Sequence, residues 1–205
     1  MRYHILATFL AICSIISPAT AQVKNFVSSC GDRSFSIVWD GNTVKTGSQT
    51  EYYTSDANGR TIGWRLVDSS DGTDVSVSLK DGKYILSGTF KGEKVNRTEK
   101  SKGNPWFQKI EMNGLGILKG KKDFKYECIS ARDLKFIVMS ATDKGQEKAG
   151  GFDCIKIKST LASGIFSGMW SCWFYFDIKT SEFVVYKSVE GGPGTPETTI
   201  VRTDK

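Results

Sequence analysis

Histidine is nearly missing from this chain: His4 is the single one in 205 residues. Residues 22–205 therefore offer no imidazole, which excludes Ser-His-Asp and Cys-His catalysis, histidine metal sites and histidine pH switching there. Long apolar runs are missing too. The longest, ILATFLAICSII at 5–16, has about 12 residues, whereas a membrane-spanning helix needs about 20. No C-x-x-C pair exists to hold zinc or depress a thiol pKa, and GLGILKGKK at 114–122 lacks the G-x-x-x-x-G-K-[ST] phosphate cradle. No S-x-x-K stands in a context that suggests a serine nucleophile. No metal site and no cofactor are expected.

What the chain does have begins with an export pattern. Arg2 and His4 precede the apolar run, and SPATA follows with small residues at Ala19 and Ala21. This is the layout of a secretory signal peptide over 1–21, cleaved after Ala21, with 22–205 as a secreted or periplasmic domain and no transmembrane segment. Cys13 leaves with the signal; Cys30, Cys128, Cys154 and Cys172 remain. An even count in an oxidising compartment predicts two disulfides. Four cysteines allow three pairings. The favoured one joins Cys30 to Cys128 and Cys154 to Cys172, the second pair bracketing a hairpin centred on Ser163 and Gly164.

Apolar residues recur with period two. Phe35, Ile37 and Trp39 alternate with Ser34, Ser36 and Val38; Val75, Val77 and Leu79 alternate with Asp74, Ser76 and Ser78; Tyr84, Leu86 and Phe90 share one parity. Asp40-Gly41, Asp81-Gly82 and Asn113-Gly114 supply hairpin turn chemistry. The pattern continues through FKYECIS (124–130), LKFIVMS (134–140), FDCIKIK (152–158) and TTIVRT (198–203). No window is a convincing amphipathic helix, and 21 glycines argue against long helices. The expected fold is all-β: a single antiparallel β-sandwich or barrel of about a dozen short strands. Residues 91–105 read as a long basic loop, and 189–197 as a Gly/Pro-rich tail.

Charge is uneven. Residues 91–125 hold ten basic and four acidic side chains, although the whole chain is only +6. Lys119, Lys121, Lys122 and Lys125 lie in this stretch and suit an acidic protein or an anionic cell-surface polymer. Lysine-guarded strand edges give the same pattern without any partner. Nucleic acid is not expected, since no base-stacking module accompanies the charge. Asn96-Arg97-Thr98 is a formal N-glycosylation triplet.

Without histidine, acid-base catalysis falls to paired carboxylates, as in a glycoside hydrolase. The candidates Glu127, Asp153, Asp177 and Glu182 form no E-x-D or E-x-E arrangement that would share a strand face. GMWSCWFYFDIKT at 168–180 is the other conspicuous stretch. Parity puts Trp170, Cys172, Phe174 and Phe176 on a core face and leaves Trp173 and Tyr175 opposite. A return strand from Phe183 would pair Phe174 with Val185 and bring Trp173 beside Tyr186. Trp173, Tyr175 and Tyr186 are thus candidate contacts, or else a second buried face. The reading that results is an exported, non-catalytic binding protein: an inhibitor, immunity or host-interaction factor. A carbohydrate-binding module on exposed tryptophans is the alternative, and a carboxylate-dependent glycoside hydrolase follows behind it.

Overall fold

In the computed structural model, which describes residues 22–118, 120–163, 171–189 and 195–204, the alternating segments become strands. They are β1 Lys24–Cys30, β2 Arg33–Asp40, β3 Thr43–Thr46, β4 Gln49–Ser55, β5 Thr61–Asp68, β6 Thr73–Lys80, β7 Lys83–Phe90 and β8 Glu93–Lys100. After a 3₁₀ helix at Ile110–Ile117 come β9 Asp123–Ile129, β10 Phe136–Ala149, β11 Phe152–Leu161, β12 Ser171–Asp177, β13 Phe183–Val189 and β14 Glu197–Arg202. The signal segment 1–21, Lys119, residues 164–170 and residues 190–194 of the tail lie outside the described residues.

Turn chemistry explains the close spacing. Asp81 and Gly82 adopt φ of 50° and 69°, the paired positive values of a type I′ hairpin turn. Lys91 and Gly92 do the same with 51° and 81°. The stretch expected as a polar loop at 91–105 therefore begins with a hairpin, and β8 occupies Glu93–Lys100. Lysine gives no warning of positive φ, which is why this turn was not expected. Asn113-Gly114, read as a turn, lies inside the 3₁₀ helix.

All described strands join one antiparallel sheet in the order β8-β7-β6-β5-β4-β3-β2-β1-β14-β13-β12-β11-β10-β9. The expected sandwich or closed barrel is corrected to a single open sheet of fourteen strands, curled on itself. Strands β1 and β14 pair in its middle, with Phe26 opposite Arg202 and Cys30 opposite Thr198. The two edges are β8 and β9, consecutive in sequence, so residues 101–122 must run from one edge to the other. Curling brings these ends together through side chains: the Tyr84 and Phe136 rings are 4.4 Å apart, and Arg97 donates to the Leu134 carbonyl at 2.7 Å. No ladder forms between β8 and β9. The β9 edge is instead taken at Glu127, whose N–H donates to the Pro105 carbonyl at 2.9 Å and whose carbonyl accepts from Phe107 N–H at 3.0 Å.

The expected disulfides are also corrected, because all four described cysteines are free. Cys154 stands opposite Asp177 and Cys172 opposite Ser159, so they lie at different levels of the β11–β12 pair. They also face opposite ways, Cys172 into the main core and Cys154 into a small outer cluster with Tyr175, Val184 and Val185. Cys30 sits in β1 at mid-sheet, while Cys128 is on the β9 edge. Period-two patterning marks a buried face; it cannot say whether a second sheet or the same sheet covers it.

Candidate functional site

The concave face carries the main core and, over β9 to β14, a partly open lumen, with the link from β8 to β9 as its strap. Trp106 anchors the strap by packing edge-on against Tyr84, with centroids 5.2 Å apart. Gln108 tethers the next turn of chain: its amide donates to the Ile129 carbonyl at 2.7 Å and accepts from the Ile129 N–H at 2.9 Å. On the other side, Thr61 N–H donates to the Trp106 carbonyl at 2.8 Å. The strap is thus fixed to β5 and β9 at once. Residues 107–111 then face strands β9 to β14 across a cavity of about 490 Å³. Its sheet wall is apolar, with Ile137, Met139, Leu161, Phe174 and Ile200; its strap wall carries Gln108, Lys109 and Glu111.

Behind the strap lies a charged cluster that alternation alone did not reveal. Glu51, on the buried parity of β4, accepts from Trp64 Nε1 at 2.9 Å, Gln49 Nε2 at 3.2 Å and Lys109 Nζ at 3.1 Å, and from the Tyr53 hydroxyl. Burial alone would raise its pKa, but the Lys109 charge and these donors more than offset that and hold it below the ordinary value. Burial works against the Lys109 ammonium as well, yet Glu51 and Glu111 hold its pKa up. Glu111 differs. Burial raises its carboxyl pKa, Lys109 offsets only part, and Glu51 adds to the rise. Among the described residues no side-chain donor reaches it. It also lines a second cavity of about 420 Å³ between the 3₁₀ helix and the β12–β13 turn.

Burial disfavours the thiolate form of the lumen cysteines. Cys128 and Cys172 both line the larger cavity, and burial pushes Cys128 up to about 12 and Cys172 higher still. The candidate carboxylates are occupied elsewhere. Glu127 accepts from the Tyr84 hydroxyl at 2.9 Å and the Asn104 N–H at 2.9 Å; Asp177 caps the β12–β13 turn through Lys179 N–H at 3.1 Å and Thr180 Oγ1 at 2.9 Å. Glu182 pairs with Lys24 at 2.7 Å and with Arg202, and Asp153 faces Lys148 at 3.8 Å near the tip of an exposed hairpin. Among the described residues no group of three His, Cys, Asp or Glu is placed to hold a metal ion, and no helix is long and apolar enough to cross a membrane.

The aromatic candidates are divided between faces. A bulge between Tyr175 and Phe176 shifts the expected register, so Phe174 meets Tyr186 and Trp173 meets Lys187, while Phe176 meets Phe183 as the alternation implies. Tyr186 therefore lines the lumen. Trp173 and Tyr175 remain outside, where Lys156 Nζ lies 4.3 Å from the Trp173 ring centre and Lys158 Nζ lies 5.4 Å from it. Tyr175 is buried under this layer. Trp39, Trp64 and Trp106 are core residues, so the described tryptophans offer no bare ring for sugar stacking. Lys121, Lys122 and Lys125 are exposed at and just before β9, and Lys119 lies outside the described residues. Glu51, Tyr53, Trp64 and Glu111 were not singled out by sequence; the available signal was Glu51 sharing strand parity with Tyr53.

The fold thus defines a class: an open antiparallel sheet curled around a strapped lumen. No protein-family model and no curated protein matches the chain. Among solved structures, the β-barrel-like protein of the domain of unknown function DUF1849 from Brucella abortus is similar over 89% of this chain and 97% of that one. Its TM-score is 0.55 and its identity 11%, a likeness of fold. The lipoprotein LppX of Mycobacterium tuberculosis aligns over 89% of this chain and 85% of its own, at 9% identity and TM-score 0.32. The MucA/MucB complex of Pseudomonas aeruginosa aligns over 91% of this chain and 52% of the matched one, at 11% and 0.31. Both scores are too low to carry a structural argument.

Proposed function

We propose that this is an exported, non-catalytic binding protein that takes an apolar ligand into the lumen of its curled sheet. The observation that carries the reading is the cavity of about 490 Å³, within the range of about 300–1,000 Å³ usual for small-ligand sites. Apolar walls with a few convergent polar groups are the usual make-up of such sites. The absence of imidazole from 22–205, the burial that disfavours thiolates and the occupied carboxylates support a role without catalysis. The signal pattern at 1–21, with cleavage after Ala21, supports a secreted or periplasmic location.

The test is a titration of residues 22–205 with the neutral apolar dye N-phenyl-1-naphthylamine. A saturable fluorescence rise is expected, and Ile200→Trp, which fills the cavity from β14, should abolish it while the far-ultraviolet spectrum stays native. No rise in the wild type, or an equal rise in the variant, contradicts the reading.

A second surface is favoured by the exposure of Lys121, Lys122 and Lys125, none of which has an ion-pair partner among the described residues. It suits an acidic protein or an anionic cell-surface polymer, as an inhibitor, immunity or host-interaction factor would require. Reversing the three charges to Glu should remove retention on a polyanion column at low salt. Unchanged retention would dismiss this surface.

A further inference from the structure

The charges on and behind the strap bear on which ligand the lumen takes, if the lumen holds one as proposed. Two carboxylates, Glu51 and Glu111, stand against one ammonium, Lys109. Glu51 is fully engaged: it accepts from Tyr53, Trp64, Gln49 and Lys109. Lys109 is committed to it at 3.1 Å. Glu111 is left over: among the described residues it has no side-chain donor, and it alone lines both cavities.

We infer that the lumen selects a single-chain amphiphile with a cationic head, its apolar body along Ile137, Met139, Leu161 and Ile200 and its ammonium against Glu111. A cation completes the unpaired carboxylate and makes the cluster neutral, as buried charge requires. An anionic head would meet Glu111 repulsion and would have to share Lys109 with Glu51, which already pairs with it at 3.1 Å. Phe107, Tyr126, Phe174 and Tyr186 line the same cavity, and a ring face turned to the ligand would attract an ammonium group. Glu111 also lies in the first turn of the 3₁₀ helix, where a carboxylate is favoured by the backbone dipoles. That preference does not require a lumen-facing position, which a ligand role does. The rise in the Glu111 pKa fits as well, because burial outweighs what Lys109 and the backbone offset.

The experiment compares decylamine, decanol and decanoate, which share an apolar chain and differ in head charge. Isothermal titration into residues 22–205 at pH 7, below micellar concentrations, gives the order of affinities. Decylamine should bind at least about tenfold more tightly than decanol, and decanoate most weakly. In Glu111→Gln, with a thermal melt to check folding, the amine-to-alcohol ratio should fall to about twofold or less. Decanoate binding as tightly as decylamine, or a preference that survives Glu111→Gln, overturns the inference. Equal binding of all three overturns it and leaves the lumen reading standing, whereas binding of none overturns both. Should Glu111→Gln fail to fold, the wild-type order alone still decides.

Discussion

Glu51 and Glu111 share one ammonium and are driven in opposite directions, which makes them separable by pH. Glu51 has a lowered pKa in the folded protein, so its stabilisation is present above the ordinary value of 4.5 and is lost as pH falls through the lower folded value. Glu51→Gln should cost on the order of 3 kcal/mol at pH 7, because it removes the carboxylate that Lys109 pairs with at 3.1 Å. Chemical denaturation should find that penalty shrinking in acid. Glu111 is raised, so its ionisation on going above pH 4.5 weakens the fold as pH passes through the higher folded value. Glu111→Gln should therefore gain melting temperature relative to wild type as pH rises from 4.5 to 8; a gain that shrinks instead contradicts the burial of this group. The titratable and charged groups acting on it or feeling its charge are Lys109, Glu51, Tyr53, Tyr126, Cys128, Cys172 and Tyr186. The grouping of Glu51, Lys109 and Glu111 was not legible in sequence. Lys109 and Glu111 read there as members of a basic stretch, since composition cannot tell an inward lysine from an outward one.

Strands were far more legible, because alternation is local and the turns that limit it carry their own chemistry. Where turn chemistry was atypical, the reading failed: Lys91-Gly92 hid β8, and the β12–β13 bulge moved Tyr186 from the outer face to the lumen. Gly88 is a position where the sheet needs glycine. Its φ is 129°, and a Cβ there would lie 2.2 Å from the Asp74 carbonyl oxygen of the neighbouring strand. Gly88→Ala should lose at least about 2 kcal/mol in denaturant titration. The seam between the sheet's two ends depends on fewer contacts. Tyr84→Phe removes the hydroxyl that binds buried Glu127 and should cost about 1.5–3 kcal/mol. Hydrogen exchange should quicken at Glu127 and Phe107 more than at the β4–β6 ladders; uniform quickening would mean that the seam is no separate latch.

As a whole molecule, the chain places its two consecutive edges, β8 and β9, at opposite ends of one sheet and lets the strap run between them. Sequence supplied the strand class and the buried faces, but the long-range order depends on which edges meet, and no local pattern encodes that. Cysteine arithmetic failed for the same reason: an even count says nothing about facing, and Cys154 and Cys172 point to opposite sides. Residues 22–205 should accordingly yield four alkylatable thiols in denaturant without reductant, and a reductant should leave the melting temperature unchanged. The central claim, a ligand-holding lumen, is tested most directly by methyl NMR of the protein titrated with decylamine. Shift changes should concentrate at Ile137, Met139, Leu161 and Ile200 and spare Val75, Val77 and Leu86. Changes confined to Val184 and Val185 on the outer face, with the lumen methyls unmoved, would contradict it.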